Sequence, residues 1–215
     1  GADVLAGGSV TIDAAESNEV ISGATVDGAS VAMTAGTSNT ISGTDTLVTA
    51  DTTVNVEGAS NSIAAGAKVE AGTDATITAT TSNEVVGGAT VNGESVAMAG
   101  AENTIDGIGT SVTGATGVTI TGTNSTMISG SAQVVATNGT VKVDGGTTSA
   151  NTITGADTLV QAGSAVDIDG KTNSIAAGAG VLAGGSVTID AAESNEVVGG
   201  ATVDGASVAM TAGTS

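Results

Sequence analysis

The tetrapeptide Ser17-Asn18-Glu19-Val20 returns in variant form at Asn39, Asn61, Asn83, Asn103, Asn124, Asn151, Asn173 and Asn195. The spacings are 21, 22, 22, 20, 21, 27, 22 and 22 residues. Self-similarity at that period marks a solenoid or array, whose units bury a core only when stacked. Within each unit the apolar residues form three short clusters. Ile41, Leu47 and the pair Val54/Val56 follow Asn39; Val85, Val91 and Val96/Met98 follow Asn83; Ile153, Leu159 and Val166/Ile168 follow Asn151. Pairs two residues apart, such as Val118/Ile120 and Val187/Ile189, share one face of a strand. Glycines such as Gly43, Gly87, Gly155 and Gly163 punctuate the intervals, where corners need positive φ or close approach. Helix is disfavoured by the dominance of Val, Ile and Thr and by the absence of a 3.6-residue stripe. The pattern predicts an all-β fold, a parallel β-solenoid (β-helix) of about 22 residues per coil with three short strands per coil.

Nothing in such a coil holds it together alone. Four or five branched side chains do not offset the entropy of ordering 22 residues, so hydrogen bonds between coils must supply the rest. The recurrent asparagine suits this role, because an amide donates to the coil on one side and accepts from the other. Asn18, Asn39, Asn61, Asn83, Asn103, Asn151, Asn173 and Asn195 are therefore assigned to a structural Asn ladder at one corner.

The coils are of several kinds. Gly1–Ser38 recurs 177 positions later as Gly178–Ser215, with changes only at Asp3/Gly180, Ile21/Val198 and Ser22/Gly199. A 177-residue super-repeat holds eight coils, about 38 Å at ~4.8 Å per coil. Residues 1–215 are expected to form a single continuous solenoid segment of a longer repeat array, without capping coils. The coil at 124–150 is irregular and longer, and Gly139, Gly145 and Gly146 suggest a protruding loop. Its two Asn-x-Ser/Thr sequons, at Asn124 and Asn138, are candidate glycosylation sites.

The 215 residues include 34 Gly and no Pro, Cys, His, Phe, Tyr or Trp; the only basic residues are Lys68, Lys142 and Lys171, against 22 Asp and Glu, for a net charge of -19. Three scattered lysines cannot grip phosphates, so no nucleic-acid partner is expected. Nor does any run reach the ~20 apolar residues of a membrane span. Triads and zinc sites need His or Cys, and no phosphate-binding glycine loop is followed by its lysine. The expectation is a non-enzyme without a resident cofactor. Glu19 and its equivalents Glu84 and Glu196 alternate with Thr40 and Ser62, which spaces like charges about three coils, or ~14 Å, apart, beyond the ~8 Å Debye length. Asp167, Asp169 and Asp190 crowd more closely and form a weak candidate site for Ca²⁺ or another divalent cation. A solvated acidic face is the plainer reading of the same residues. A Thr-x-Thr ladder of the ice-binding kind begins at Thr119/Thr121 but breaks at Ala97/Ala99 and Lys142/Asp144.

In repeat length, Gly/Ala/Ser/Thr/Val composition and near-identical long repeats, the chain resembles the β-solenoid stalks of giant bacterial surface adhesins and extracellular filament proteins. It is also similar in period to curli-type functional amyloid, but lacks the paired Ser and Gln of that repeat and its aromatics. The resemblance implies a secreted, cell-surface structural protein that self-associates into a filament or bundle: an extracellular fibre, sheath or adhesin stalk. The alternatives are a binding or adhesion module whose 124–150 bulge contacts a ligand, or a curli-like amyloid.

Overall fold

The computed structural model describes residues 2–213. All its regular elements are β-strands, hydrogen-bonded into a single sheet that winds upon itself. Every pairing is parallel and joins a strand to its counterpart about one repeat away, as Asn39 to Asn61 and Val48 to Val69. Three faces result. The first begins with Asp3–Leu5, Thr25–Gly28 and Leu47–Ala50; the second with Val10–Ala14 and Val31–Ala35; the third with Ser17–Ile21 and Ser38–Ser42. In the middle of the stack the second and third faces run together in long bent strands, such as Val54–Ala64 and Asp74–Val86.

The core follows from strand alternation. On the first face Val26, Val48, Val69, Val91, Val112, Val134, Val160 and Val181 stack in register and are buried. The second face contributes two inward rows, one running Val31, Val54, Ala75, Val96 and the other Met33, Val56, Ile77, Met98. On the third, Ile41, Ile63, Val85 and Ile105 lie in line. Like residues stacked on like at every level leave no coil with a core of its own, the condition inferred from the repeat.

Leu47 and Leu159 stand one residue before the core slot of their strands. The inward residue of each strand is the following valine, Val48 or Val160, while the leucine is only partly covered on the outer side. The reason lies one residue earlier, where Thr46 and Thr158 point inward and are buried, so alternation turns the leucine out.

The corners use glycine in the two ways expected. Gly43 and Gly155 adopt φ of 112° and 107°, open to glycine at little cost. Gly163 has no such φ, but a Cβ there would meet the carbonyl of Thr137 in the neighbouring coil.

Val4 and Val181 occupy the same slot eight levels apart, through Val26, Val48, Val69, Val91, Val112, Val134 and Val160. The 177-residue repeat thus spans eight coils.

Candidate functional site

The corner between the second and third faces carries the ladder. Asn18 Nδ2 donates to Asn39 Oδ1 at 3.0 Å, Asn39 to Asn61 at 2.9 Å, Asn61 to Asn83 at 2.9 Å and Asn83 to Asn103 at 3.0 Å. Beyond a break, Asn151 donates to Asn173 at 2.8 Å and Asn173 to Asn195 at 2.9 Å. The second amide proton goes to the carbonyl ending the second-face strand of the next coil, as Asn39 to Glu57 and Asn61 to Thr78, both at 2.8 Å. Each amide thereby joins two coils and braces the bend of the coil that follows it. Most of these asparagines are fully buried, which is tolerable because their donors are used.

The break corrects the reading of Asn124 as the repeat's asparagine. Asn103 pairs with Thr126, and Thr126 with Asn151. Thr126 is buried in the ladder slot, and Asn124 lies exposed at the corner before it. Spacing alone misled here, because Asn124-Ser125-Thr126 imitates the motif two residues early.

The lengthened coil owes its size to the same corner. Five residues, 145–149, link Asp144 to Ala150, where the next coil has only Gly170 and Lys171 between Asp169 and Thr172. This turn is tied down rather than projecting freely. Gly146 N donates to Asp144 Oδ1 at 3.1 Å, Ser149 N to the Gly145 carbonyl at 3.1 Å, and Thr148 Oγ1 to the Thr123 carbonyl of the preceding coil at 3.1 Å. Thr147 and Thr148 are exposed, whereas Ser149 is fully buried. Asn138 stands at a different corner and is also exposed.

A second polar device went unread in the sequence. Thr46, Thr110 and Thr158 are buried at the corner between the third and first faces. Each Oγ1 donates to a carbonyl four residues back and accepts a backbone N–H from the preceding coil: Gly23 N at 2.9 Å, Gly88 N at 2.9 Å and Ser131 N at 3.0 Å. The signal was present as Gly-x-(Asp/Gly)-Thr at 43–46, 107–110 and 155–158, but occurs in only a minority of coils.

Asp144, Asp167, Asp169 and Asp190 lie on the outer side of the second face. Asp144, Asp169 and Asp190 stack in register, and Asp167 lies opposite Lys142. Lys142 Nζ contacts Asp144 Oδ2 at 2.8 Å. That hydrogen bond holds the Asp144 carboxyl below the usual carboxylate range and raises the lysine. Asp169 is pushed up, by burial first and then by Asp144, Asp190 and Asp167. No three acidic side chains among the described residues converge closely enough to hold a metal ion, the candidate trio Asp167, Asp169 and Asp190 included. Adjacent coils place Asp169 across from Asp190, but Asp167 is displaced two residues along its strand.

Shallow hollows follow the ladder corner on its outer side, lined by Thr34, Gly36, Glu57, Gly58, Thr78 and Thr80 and continued past Ala99 to Thr121. Glu57 is the one titratable residue lining them. Among the described residues no helix is long and apolar enough to cross a membrane. No family model, curated protein or solved structure matches the chain. The site of interest is thus the stack itself, whose chemistry is that of hydrogen-bonded coil edges.

Proposed function

We propose that this chain is a structural protein, a stretch of extracellular fibre, sheath or adhesin stalk that lengthens by stacking coil upon coil. One observation carries the reading. Core slots repeat level by level: Val26, Val48, Val69, Val91, Val112, Val134, Val160 and Val181 stand in register and are all buried. Strands inside the stack, such as Leu47–Ala50 and Lys68–Ala71, pair with a counterpart on either side. Coils whose two edges both bond to coils of the same kind fit a stack that lengthens by repetition, with the coils supplied by the same chain or by another copy.

The net charge of -19 favours solubility of a long rod over collapse into bundles. The cell-surface placement is supported by the likeness to adhesin and filament stalks, and the absence of His, Cys and Arg favours mechanics over catalysis.

Cryo-electron microscopy of the native assembly tests the proposal. An axial repeat near ~4.8 Å with a longer one near ~38 Å is the expected result. Isolated short rods would refute continuous stacking and favour a binding module that uses the 145–149 turn.

A further inference from the structure

Three buried side-chain oxygens have no protein partner: Thr126 Oγ1, Ser149 Oγ and Asn151 Oδ1. No other buried side-chain nitrogen or oxygen among the described residues is left in this condition, and all three belong to the ladder corner of two adjacent coils. Thr126 precedes Asn151 in the ladder, and Ser149 ends the lengthened turn that leads into it.

The regular ladder says what is missing. An asparagine in this slot gives its two amide protons to the next asparagine's Oδ1 and to the carbonyl ending the next second-face strand, as Asn61 does to Asn83 and Thr78. At Thr126 the corresponding acceptors are Asn151 Oδ1 and the carbonyl of Asp144, which pairs with Thr121 as Thr78 pairs with Ala99. The threonine side chain is one bond too short to reach them. A glycine backs each hydroxyl, as Gly58 and Gly100 back the asparagines of the regular ladder. A Cβ at Gly122 would stand 2.7 Å from Thr126 Oγ1, and one at Gly145 would stand 2.9 Å from Ser149 Oγ.

We propose that a single water molecule binds in this corner and takes over the hydrogen bonds that the amide of an asparagine would make. The Thr126 and Ser149 hydroxyls donate to it, and it donates to Asn151 Oδ1 and the Asp144 carbonyl. Such a molecule has the two to four polar partners of a typical buried water, and it leaves none of the three oxygens orphaned. A cation fits less well. The three oxygens are neutral, the Asp144 carboxylate is engaged by Lys142 and by Gly146 N, and a buried ion without a counter-charge is costly. One hydrated step thus interrupts an otherwise dry ladder, whatever the function of the stack.

A structure of the full chain at a resolution that shows ordered water tests this. The expected result is a peak at about 2.6–3.2 Å from Thr126 Oγ1, Ser149 Oγ and Asn151 Oδ1. Thr126→Asn should abolish the peak, join Asn103 to Asn151 through a continuous ladder, and raise the melting temperature by roughly 2–4 °C. Thr126→Val should empty the site and lower the melting temperature. The proposal is overturned if Thr126 Oγ1 bonds directly to Asn151 with no peak between them. It is equally overturned if soaked rubidium gives an anomalous signal at the site, which would make it a cation site.

Discussion

Asn61 Nδ2 lies 2.9 Å from Asn83 Oδ1 in the next coil and 2.8 Å from the Thr78 carbonyl that ends the strand before it. One side chain therefore sets both the bend within a coil and the distance between coils. Asn61→Ala removes the acceptor for Asn39 and both donors at once, and each buried group left orphaned costs about 1–3 kcal/mol. Asn61→Asp should cost more, because a buried carboxylate would replace the donor and face Asn83 Oδ1 and the Thr78 carbonyl. Thermal melts of the two variants check the order, with Asp below Ala below wild type.

Thr110 gives a smaller and more local expectation. Its Oγ1 accepts from Gly88 N at 2.9 Å and donates to the Asp106 carbonyl at 2.8 Å. Thr110→Val keeps the shape and loses both bonds, for about 1–3 kcal/mol. Amide exchange is the decisive readout: Gly88 should lose protection while strand amides at a distance keep theirs. Thr110→Ser should retain most of the protection.

Backbone proximity makes glycine indispensable at some positions and dispensable at others. A Cβ on Gly139 would overlap the carbonyl of Thr116 in the preceding coil, while one on Gly180 comes no nearer than 3.4 Å, to the end of the Leu159 side chain. Gly139→Ala should destabilise the chain strongly, by several degrees or more in melting temperature, because carbonyl and strand must separate for it to fit. Gly180→Ala should leave the melt within experimental error, as its counterpart in the super-repeat, Asp3, already carries a side chain. Parallel melts of the two variants make the comparison.

Asp169 sets a pH dependence. Burial and the neighbouring carboxylates raise its folded pKa above the ordinary aspartate value, so the folded chain holds a proton that the unfolded chain has released. Its contribution is therefore most favourable below the ordinary aspartate range and is lost as pH rises through the raised value. Asp144, lowered by Lys142, acts in the opposite sense: its contribution is present above the ordinary value and is lost as pH falls through the lowered one. Asp169→Asn should stabilise the chain at neutral pH, with the gain shrinking as pH falls below the ordinary aspartate range. Melting curves across that range check the sign, and a gain that grew on acidification would contradict it.

Much of this architecture was legible because the repeat samples each slot many times. Val118/Ile120 and Val187/Ile189 share one strand face by their spacing, and that face is the buried one. The eight ladder asparagines were named from spacing, and all eight take part in the ladder. The alternation of Glu19 with Thr40 and Ser62 before Glu84 holds in register. Where a coil departs from the pattern, the averaging that makes a repeat readable is lost. Asn124 was placed in the series, yet the slot belongs to Thr126. Thr46, Thr110 and Thr158 were passed over, since a threonine in so threonine-rich a chain carries no local mark of being buried.

The sequence by itself determined the parallel three-sided coil, its period and its amide ladder, because strand alternation and stacking of like on like are properties of the chain's own periodicity. Only the tertiary structure decided which residue fills each slot at the irregular coil, which threonines turn inward at the corners, and that three oxygens from Thr126, Ser149 and Asn151 are left at one corner. Those depend on which backbone atoms of one coil meet those of the next, and that is fixed by the register of stacked strands across 20 to 26 residues of chain.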